Sequence, residues 1–331
     1  MNVLVTGAAG FLGYYIVEQL AARGDAVRAF CRRHVPSLQL PGVTTVLGDI
    51  RDRAAVAEAC RGVDAVIHTA AVAGIWGPWK LFYETNTLGT QYVIDGCRAH
   101  RVRRLVYTSS PSVTFAGTPQ SNVNESEPYP TRWLAHYPHT KALAEQLVTA
   151  ANVPGILHTA SLRPHLIWGP DDRHLIPRLL QRAKAGQLKQ VGDGTNLIDV
   201  TYVENAAEAH LQLLDSLETP RLGGRRYFLS QGEPVNCWNW INEVLALADL
   251  PPITARVPYG VARAAGAVLE GVWKVLGRKN EPRMTRFLAA QLAMDHYFDL
   301  SAARTDFGYR SRISTAEGMA RLAVWIKKID G

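Results

Sequence analysis

The feature that most constrains this chain lies in its first 22 residues. The apolar run Val3-Leu4-Val5-Thr6 leads into Gly7-Ala8-Ala9-Gly10-Phe11-Leu12-Gly13, and a helical pattern follows through about Ala22. A buried strand, a glycine-rich turn and a helix in that order open a parallel α/β sheet. The turn lets backbone N–H groups at the helix N-terminus approach a pyrophosphate. Glycine spacing alone is weak evidence, but in strand–turn–helix context it is strong. Gly7, Gly10, Phe11, Leu12 and Gly13 are therefore the first candidate dinucleotide contacts, with a plain tight turn as the rival reading.

Further strand patterns follow at residues 26–31, 43–47, 64–69, 103–109 and 155–163, and again at 196–202 and 225–229. Helical patterns separate them, which predicts a doubly wound parallel α/β sheet with a smaller, interleaved C-terminal substrate domain. Residues 1–165, joined by about 196–230, are assigned to the dinucleotide domain. Residues 166–195 and 231–331 are assigned to the substrate domain. The 331 residues suit that size. The net charge of +7 is scattered, with no basic block and no nucleic-acid module, so nucleic acid is not expected as a partner. Four cysteines at 31, 60, 97 and 237 have neither metal-site nor disulfide-framework spacing, which fits a reducing, cytoplasmic setting. No signal peptide is read at the N-terminus, and no apolar run reaches the ~20 residues of a membrane span. Residues 260–277 form an amphipathic pattern, with Val261, Val268, Leu269, Val272 and Trp273 against Arg263, Glu270 and Lys274. Packing on the second domain is the expectation, and a peripheral membrane contact is the alternative. A homodimer is a further expectation.

The chemistry is concentrated in Tyr137-Pro138-His139-Thr140-Lys141, at the start of a helical run over 135–151. Residues four apart share a helix face, which brings the Tyr137 hydroxyl towards the Lys141 ammonium. A phenol titrates near ~10, and a fixed positive charge beside it moves it towards the working range. Such a pair suits protonation of a carbonyl oxygen that is becoming an alkoxide. Ser110, at the carboxyl end of the strand over 103–109, is placed to hydrogen-bond the same carbonyl, with Ser109 as competitor.

Cofactor contacts are expected at the other strand ends. The strand over 26–31 stops at Cys31-Arg32-Arg33, with no acid to bind a ribose 2′-hydroxyl. The guanidiniums of Arg32 and Arg33 suit a 2′-phosphate, which favours NADP(H) over NAD(H), while a solvated basic loop is the plainer reading. Asp49, followed by Ile50, is a candidate for the adenine amino group; helix capping by Asp49 or Asp52 competes. Thr69, Ala70 and Ala71 are small enough for a cofactor to lie across, and His68 reads as a satisfied strand-end residue. Trp76, Trp79, Phe82, Tyr83, Trp133 and Trp168 fall in segments expected around the strand ends and suggest an apolar pocket.

Taken in order, Gly7-x-x-Gly10-x-x-Gly13, Asp49, His68-Thr69-Ala70-Ala71, Asn86, Tyr107-Thr-Ser-Ser110 and Tyr137-x-x-x-Lys141 resemble the extended short-chain dehydrogenases/reductases. Tyr137-Pro-His-Thr-Lys141 and Arg163-Pro-His-Leu-Ile-Trp-Gly-Pro170 are similar to the 3β-hydroxysteroid dehydrogenase/isomerase family. Within it, Ala73-Gly-Ile-Trp-Gly77, Ser110-Pro-Ser-Val113 and Glu281-Pro-Arg-Met-Thr-Arg-Phe287 resemble bacterial 2-alkyl-3-oxoalkanoate reductases of olefin biosynthesis. The resemblance implies a Rossmann fold and a catalytic set of Ser110, Tyr137, Lys141 and Asn86. Tyr137 would be the general acid, Lys141 would tune it and hold the nicotinamide ribose, Ser110 would polarise the carbonyl, and Asn86 would support the relay. Tyr137, Lys141 and Pro164 would also contact the cofactor. Vertebrate steroid-converting members carry Asp where this chain has Cys31, a departure that agrees with NADP(H).

The activity expected is interconversion of a 3-oxo and a 3-hydroxy group on an apolar small molecule, a 2-alkyl-3-oxoalkanoate first. A 3β-hydroxysteroid dehydrogenase is the enzymatic alternative. A regulatory protein that binds NADP(H) without turnover is the alternative of another class, and it has no use for the proton donor. A sugar-nucleotide dehydratase is disfavoured because Pro111-Ser112, not acids, follow Ser110.

Overall fold

The computed structural model describes residues 1–330. Seven strands build the central sheet: β1 (Asn2–Thr6), β2 (Ala26–Cys31), β3 (Val43–Leu47), β4 (Ala65–His68), β5 (Arg104–Thr108), β6 (His158–Pro164) and β7 (Arg225–Leu229). All pair in parallel in the order β7-β6-β5-β4-β1-β2-β3. Strand order reverses between β1 and β4, the switch point where such sheets bind ligands beyond their carboxyl ends. Both faces are covered, so β1, β4 and β6 read as nearly unbroken buried runs instead of alternating ones. One face packs Ile16, Val17 and Leu20 against Ala206, Leu213 and Leu214. The other packs Val56, Val93, Ile94, Ala144 and Val148.

Past β6 the chain departs from the sequence expectation. The 196–202 segment is not one strand but two pieces in different small sheets. Leu197–Ile198 lies between Val235–Asn236 and His296–Phe298, whereas Thr201–Tyr202 pairs with Ile167–Trp168. Asp199 separates them because its backbone N–H turns to His296 and its carboxylate accepts from Phe298 N. His296–Phe298 also pairs with Gln120–Val123, so a segment from the first half of the chain helps wall the second lobe. The core of that lobe gathers Trp168, Tyr202, Trp238, Trp240 and Val244.

The helix Tyr259–Val275 is also turned differently from its sequence pattern. It buries Ala262, Gly266 and Glu270, while Val261 (58%), Val268 (66%) and Val272 (41%) stay exposed. Two contacts decide this orientation. A Cβ on Gly266 would stand 2.6 Å from the Thr285 carbonyl carbon, so this face fits tightly on the next segment. Glu270 accepts from Arg286 N at 2.7 Å and from Arg286 Nε at 2.9 Å. A buried carboxylate so satisfied costs little, and the tight backbone fit at Gly266 fixes the rotation of the helix. No helix among the described residues is long and apolar enough to cross a membrane. All four cysteines are free and buried.

Candidate active site

The glycine turn is built for a close backbone approach. Gly7 has φ +71°, and a Cβ there would lie 2.8 Å from the backbone of Ala70 and from Thr69 Oγ1. At Gly13 a Cβ would meet the Gly7 carbonyl oxygen at 2.2 Å, so the helix Phe11–Ala22 can sit this close to the strand only without a side chain. Gly10 is the N-cap of that helix, and no side chain caps it, which leaves its first N–H groups for an anion. Thr69 Oγ1 donates to Thr6 O at 2.7 Å and holds the β4 end against the turn. Ala71 is exposed beyond it, and Ile50 is buried against Gly89, where a Cβ would be 2.9 Å from its Cγ1. This cradle of small residues at the switch point fits a dinucleotide.

At the end of β2, Cys31 is buried while Arg32 and Arg33 are exposed. Asp49 accepts from Arg51 N at 2.9 Å, Nε at 3.0 Å and Nη2 at 2.7 Å. Those Arg51 bonds pull its carboxyl down to about 2, and Arg32 is near enough to contribute. The capping role falls to Asp52, which accepts from Ala54 N and Ala55 N.

The helix His136–Ala150 carries the proposed proton donor, and four ties position it. Asn86, in a wide π-helical turn (Tyr83–Leu88), accepts from Val72 N at 2.8 Å and donates to Thr140 Oγ1 at 3.1 Å. Thr87 Oγ1 donates to Thr140 O at 3.0 Å. At the helix's inner face the Glu145 carboxylate takes two bonds from Arg163 of β6, at 2.6 and 2.9 Å, and one from Tyr129 at 2.7 Å. Glu145 and Arg163 are 0% and 1% exposed, and removing one member of such a pair costs roughly 3–5 kcal/mol. The fourth tie is Lys141, 2% exposed, whose Nζ donates to Thr108 O at 2.5 Å and lies 4.1 Å from the Tyr107 ring centroid.

These contacts alter the electrostatic expectation. Burial raises the Tyr137 phenol above its ordinary value, and Ser110 pulls it partway back. The main influence on the phenol is therefore burial. The Lys141 ammonium, which must satisfy its own donors in the interior, is committed to the β5 carbonyl. Burial in turn pulls Lys141 down to about 7, against the opposing charge of Glu145. Ser110 caps a short 3₁₀ turn (Pro111–Thr114) and shares a 2.8 Å hydrogen bond with Ser112. Ser109 is buried away from the cleft. His68 is satisfied on both sides, by Thr6 Oγ1 at 2.6 Å and Thr90 Oγ1 at 2.9 Å.

Ser110, Tyr137 and Pro164 line one cavity of about 180 Å³. Its other walls include Gly74, Ile75, Gln120, His165, Phe287, Gln291, His296 and Phe298. Gly74, Ile75, His165 and Phe287 stand inside the motifs that carry the resemblance, whereas Gln120, Gln291, His296 and Phe298 come from segments with no role expected from the sequence. The expected aromatic wall is absent from it. Trp168 is fully buried against Tyr202 and Trp240 in the second lobe. Trp79 stacks on Tyr83, and Trp133 on His139, both against the start of the helix His136–Ala150. Phe82 is buried, and Trp76 donates to Arg278 O. A second hollow of about 550 Å³, between Gly192, Tyr259 and Met294, lies at the C-terminal end of the helix Arg286–Ala293 that supplies Phe287 and Gln291.

Fold and site together define an enzyme, an oxidoreductase that works with a nicotinamide dinucleotide. The model of the 3-beta hydroxysteroid dehydrogenase/isomerase family matches residues 4–253, and the chain belongs to that family. It is 46% identical to the 2-alkyl-3-oxoalkanoate reductase of Shewanella oneidensis, over 97% of this chain and 85% of that one. Its identity to the enzyme of the same name from Stenotrophomonas maltophilia is 45%, over 97% and 98%. The human sterol-4-alpha-carboxylate 3-dehydrogenase, decarboxylating, is 34% identical over 96% and 86%. Among solved structures, MoeE5 in complex with UDP-glucose and NAD superposes with a TM-score of 0.77 at 26% identity, covering all of both chains.

Proposed function

We propose that this protein is an NADP(H)-dependent reductase of the 3-oxo group of 2-alkyl-3-oxoalkanoates. The observation that carries the reading is the cavity itself, where Ser110 and Tyr137 meet Pro164 and apolar walls from Phe287 and Phe298. The 45–46% identical relatives bear the matching name. A bound nicotinamide would supply hydride to the carbonyl carbon. Ser110 and Tyr137 would hold the carbonyl oxygen, and Tyr137 would give its proton to the oxygen as charge develops there. Lys141, at the β5 carbonyl, would reach the ribose, and the Asn86–Thr140 tie would keep the helix in register. The glycine turn would hold the pyrophosphate.

A panel of substrates with NADPH tests the reading. Each buried methylene is worth roughly 0.8 kcal/mol, about fourfold in affinity. Along a series of 2-alkyl-3-oxoacids, kcat/KM should rise severalfold per carbon, roughly tenfold or more per two, until the hollows are full. A flat series, or a 3-ketosteroid turned over better than every oxoacid, would refute it.

Cofactor preference has its own test. Arg32 and Arg33 are exposed where a 2′-phosphate would lie, with Arg51 beside Asp49 nearby. A charge-assisted bond is worth ~1.5–3 kcal/mol, so Arg32→Ala should raise the NADPH KM about tenfold or more and hardly change that for NADH. Equal use of both cofactors by the unmodified enzyme would contradict the preference.

A further inference from the structure

Two histidines, His165 and His296, line the cavity beside Tyr137, and no lysine or arginine does. His165 is 7% exposed and follows Pro164 directly. Its Nδ1 donates to Asp199 O at 2.6 Å, which fixes the tautomer and leaves Nε2 as a lone pair without a partner. His296 is 1% exposed, its ring 6.0 Å from that of His165 and 4.8 Å from Phe115, and its Nε2 also has no partner. Buried polar atoms are normally satisfied, so the orphaned His296 Nε2, with the free lone pair of His165 on the same wall, calls for a ligand group.

We propose that His165 and His296 form the seat for the carboxylate of the 3-oxoacid. The inference deepens the reductase reading and rests on it. With the C3 oxygen at Ser110 and Tyr137, the carboxyl carbon is two carbon–carbon bonds from the reacting carbon, within ~3 Å of it. It must therefore lie against the same small wall. The other groups facing the pair are few. Asp199 stands behind His165, its carboxyl pushed up by burial to about 6 with Ser230 opposing; Arg304 is beyond it, and Tyr137 is across the cavity. Burial keeps both rings neutral, pulling His165 down to about 4 and His296 to about 3. Two lone pairs repel a carboxylate, so binding takes up one proton from solvent. A ring nitrogen then becomes an N–H donor to the carboxylate, and the burial that disfavoured the charge now strengthens the ion pair. An ester or a neutral ketone offers no charge to draw the proton in.

The experiment uses a 2-alkyl-3-hydroxyalkanoate and its methyl ester, oxidised with NADP⁺ by the full-length enzyme. The unmodified protein should favour the acid in kcat/KM by about tenfold or more, the scale of one charged hydrogen bond. His165→Asn keeps a donor for Asp199 O but lacks the ε nitrogen. It should lower kcat/KM about tenfold more for the acid than for the ester. Titration calorimetry in two buffers should show uptake of about one proton with the acid, lost in the variant. If His165→Asn does not fold, His296→Asn with the same pair of substrates decides. Equal losses on acid and ester, or an unmodified enzyme indifferent to the charge, overturn this inference and leave the reductase standing. Failure to process any 3-oxoacid or 3-hydroxyacid overturns both.

Discussion

Tyr137→Phe is expected to cut reduction by about 10²-fold or more while NADPH binding survives. The substitution removes one oxygen and its proton and leaves the ring that packs in the cavity wall. The ties that position the helix do not involve the hydroxyl: Asn86 reaches Thr140, Glu145 reaches Arg163, and Lys141 reaches Thr108 O. The loss should therefore fall on kcat, with cofactor affinity and thermal stability unchanged. Single-turnover reduction alongside NADPH fluorescence titration checks this. A variant that kept most of the unmodified kcat would mean that the proton comes from elsewhere.

Acid should unfold the protein well before its carboxylates are neutralised. Of the five buried imidazoles, four carry this argument: His68 and His210 at 0%, His296 at 1% and His165 at 7%. Burial is the chief cause in each case, taking His68 and His296 down to about 3 and His165 and His210 to about 4. For His68 the nearby Lys141 charge adds to it. In the unfolded chain each titrates near ~6.5. Between those values the unfolded state binds more protons, so the stability of the neutral rings is complete above about pH 6.5. It is lost as pH falls towards 4. The slope is roughly 1.4 kcal/mol per pH unit for each ring, against a total stability of about 5–15 kcal/mol. Denaturant midpoints measured from pH 7.5 to 5 should fall steeply below 6.5. A flat profile down to pH 5 would show that these rings are not buried neutral.

The parts of this molecule that could be read from sequence are those where a local pattern has one physical solution. Strands β2 and β3 are legible residue for residue: β2 is a mostly buried apolar run, and β3, a half-exposed edge strand, is a β-branched run set between Gly42 and Gly48. The glycine turn likewise has few alternatives once a strand precedes it and a helix follows. What could not be read depends on where the chain goes in space. Trp168 is four residues past Pro164, yet Leu166 takes φ +40° and the chain turns away into the second lobe, where the indole is buried. Gln120, Phe287 and His296 belong to three distant segments, and only tertiary packing makes them neighbours. In the helix Tyr259–Val275 the amphipathic pattern pointed its valines inward, but Arg286 claimed Glu270 and reversed the face.

The pairing of His296–Phe298 with Gln120–Val123 bears on how the protein comes to exist in time. Proteins made on the ribosome begin folding from the N-terminal side while synthesis continues. Strands β1 to β5 and the glycine turn are all complete before residue 110. The wall that gives the cavity its floor must wait until the chain has reached His296, and closing so long a loop is slow. A growing chain therefore gains a surface for the dinucleotide well before it has anywhere to put a substrate.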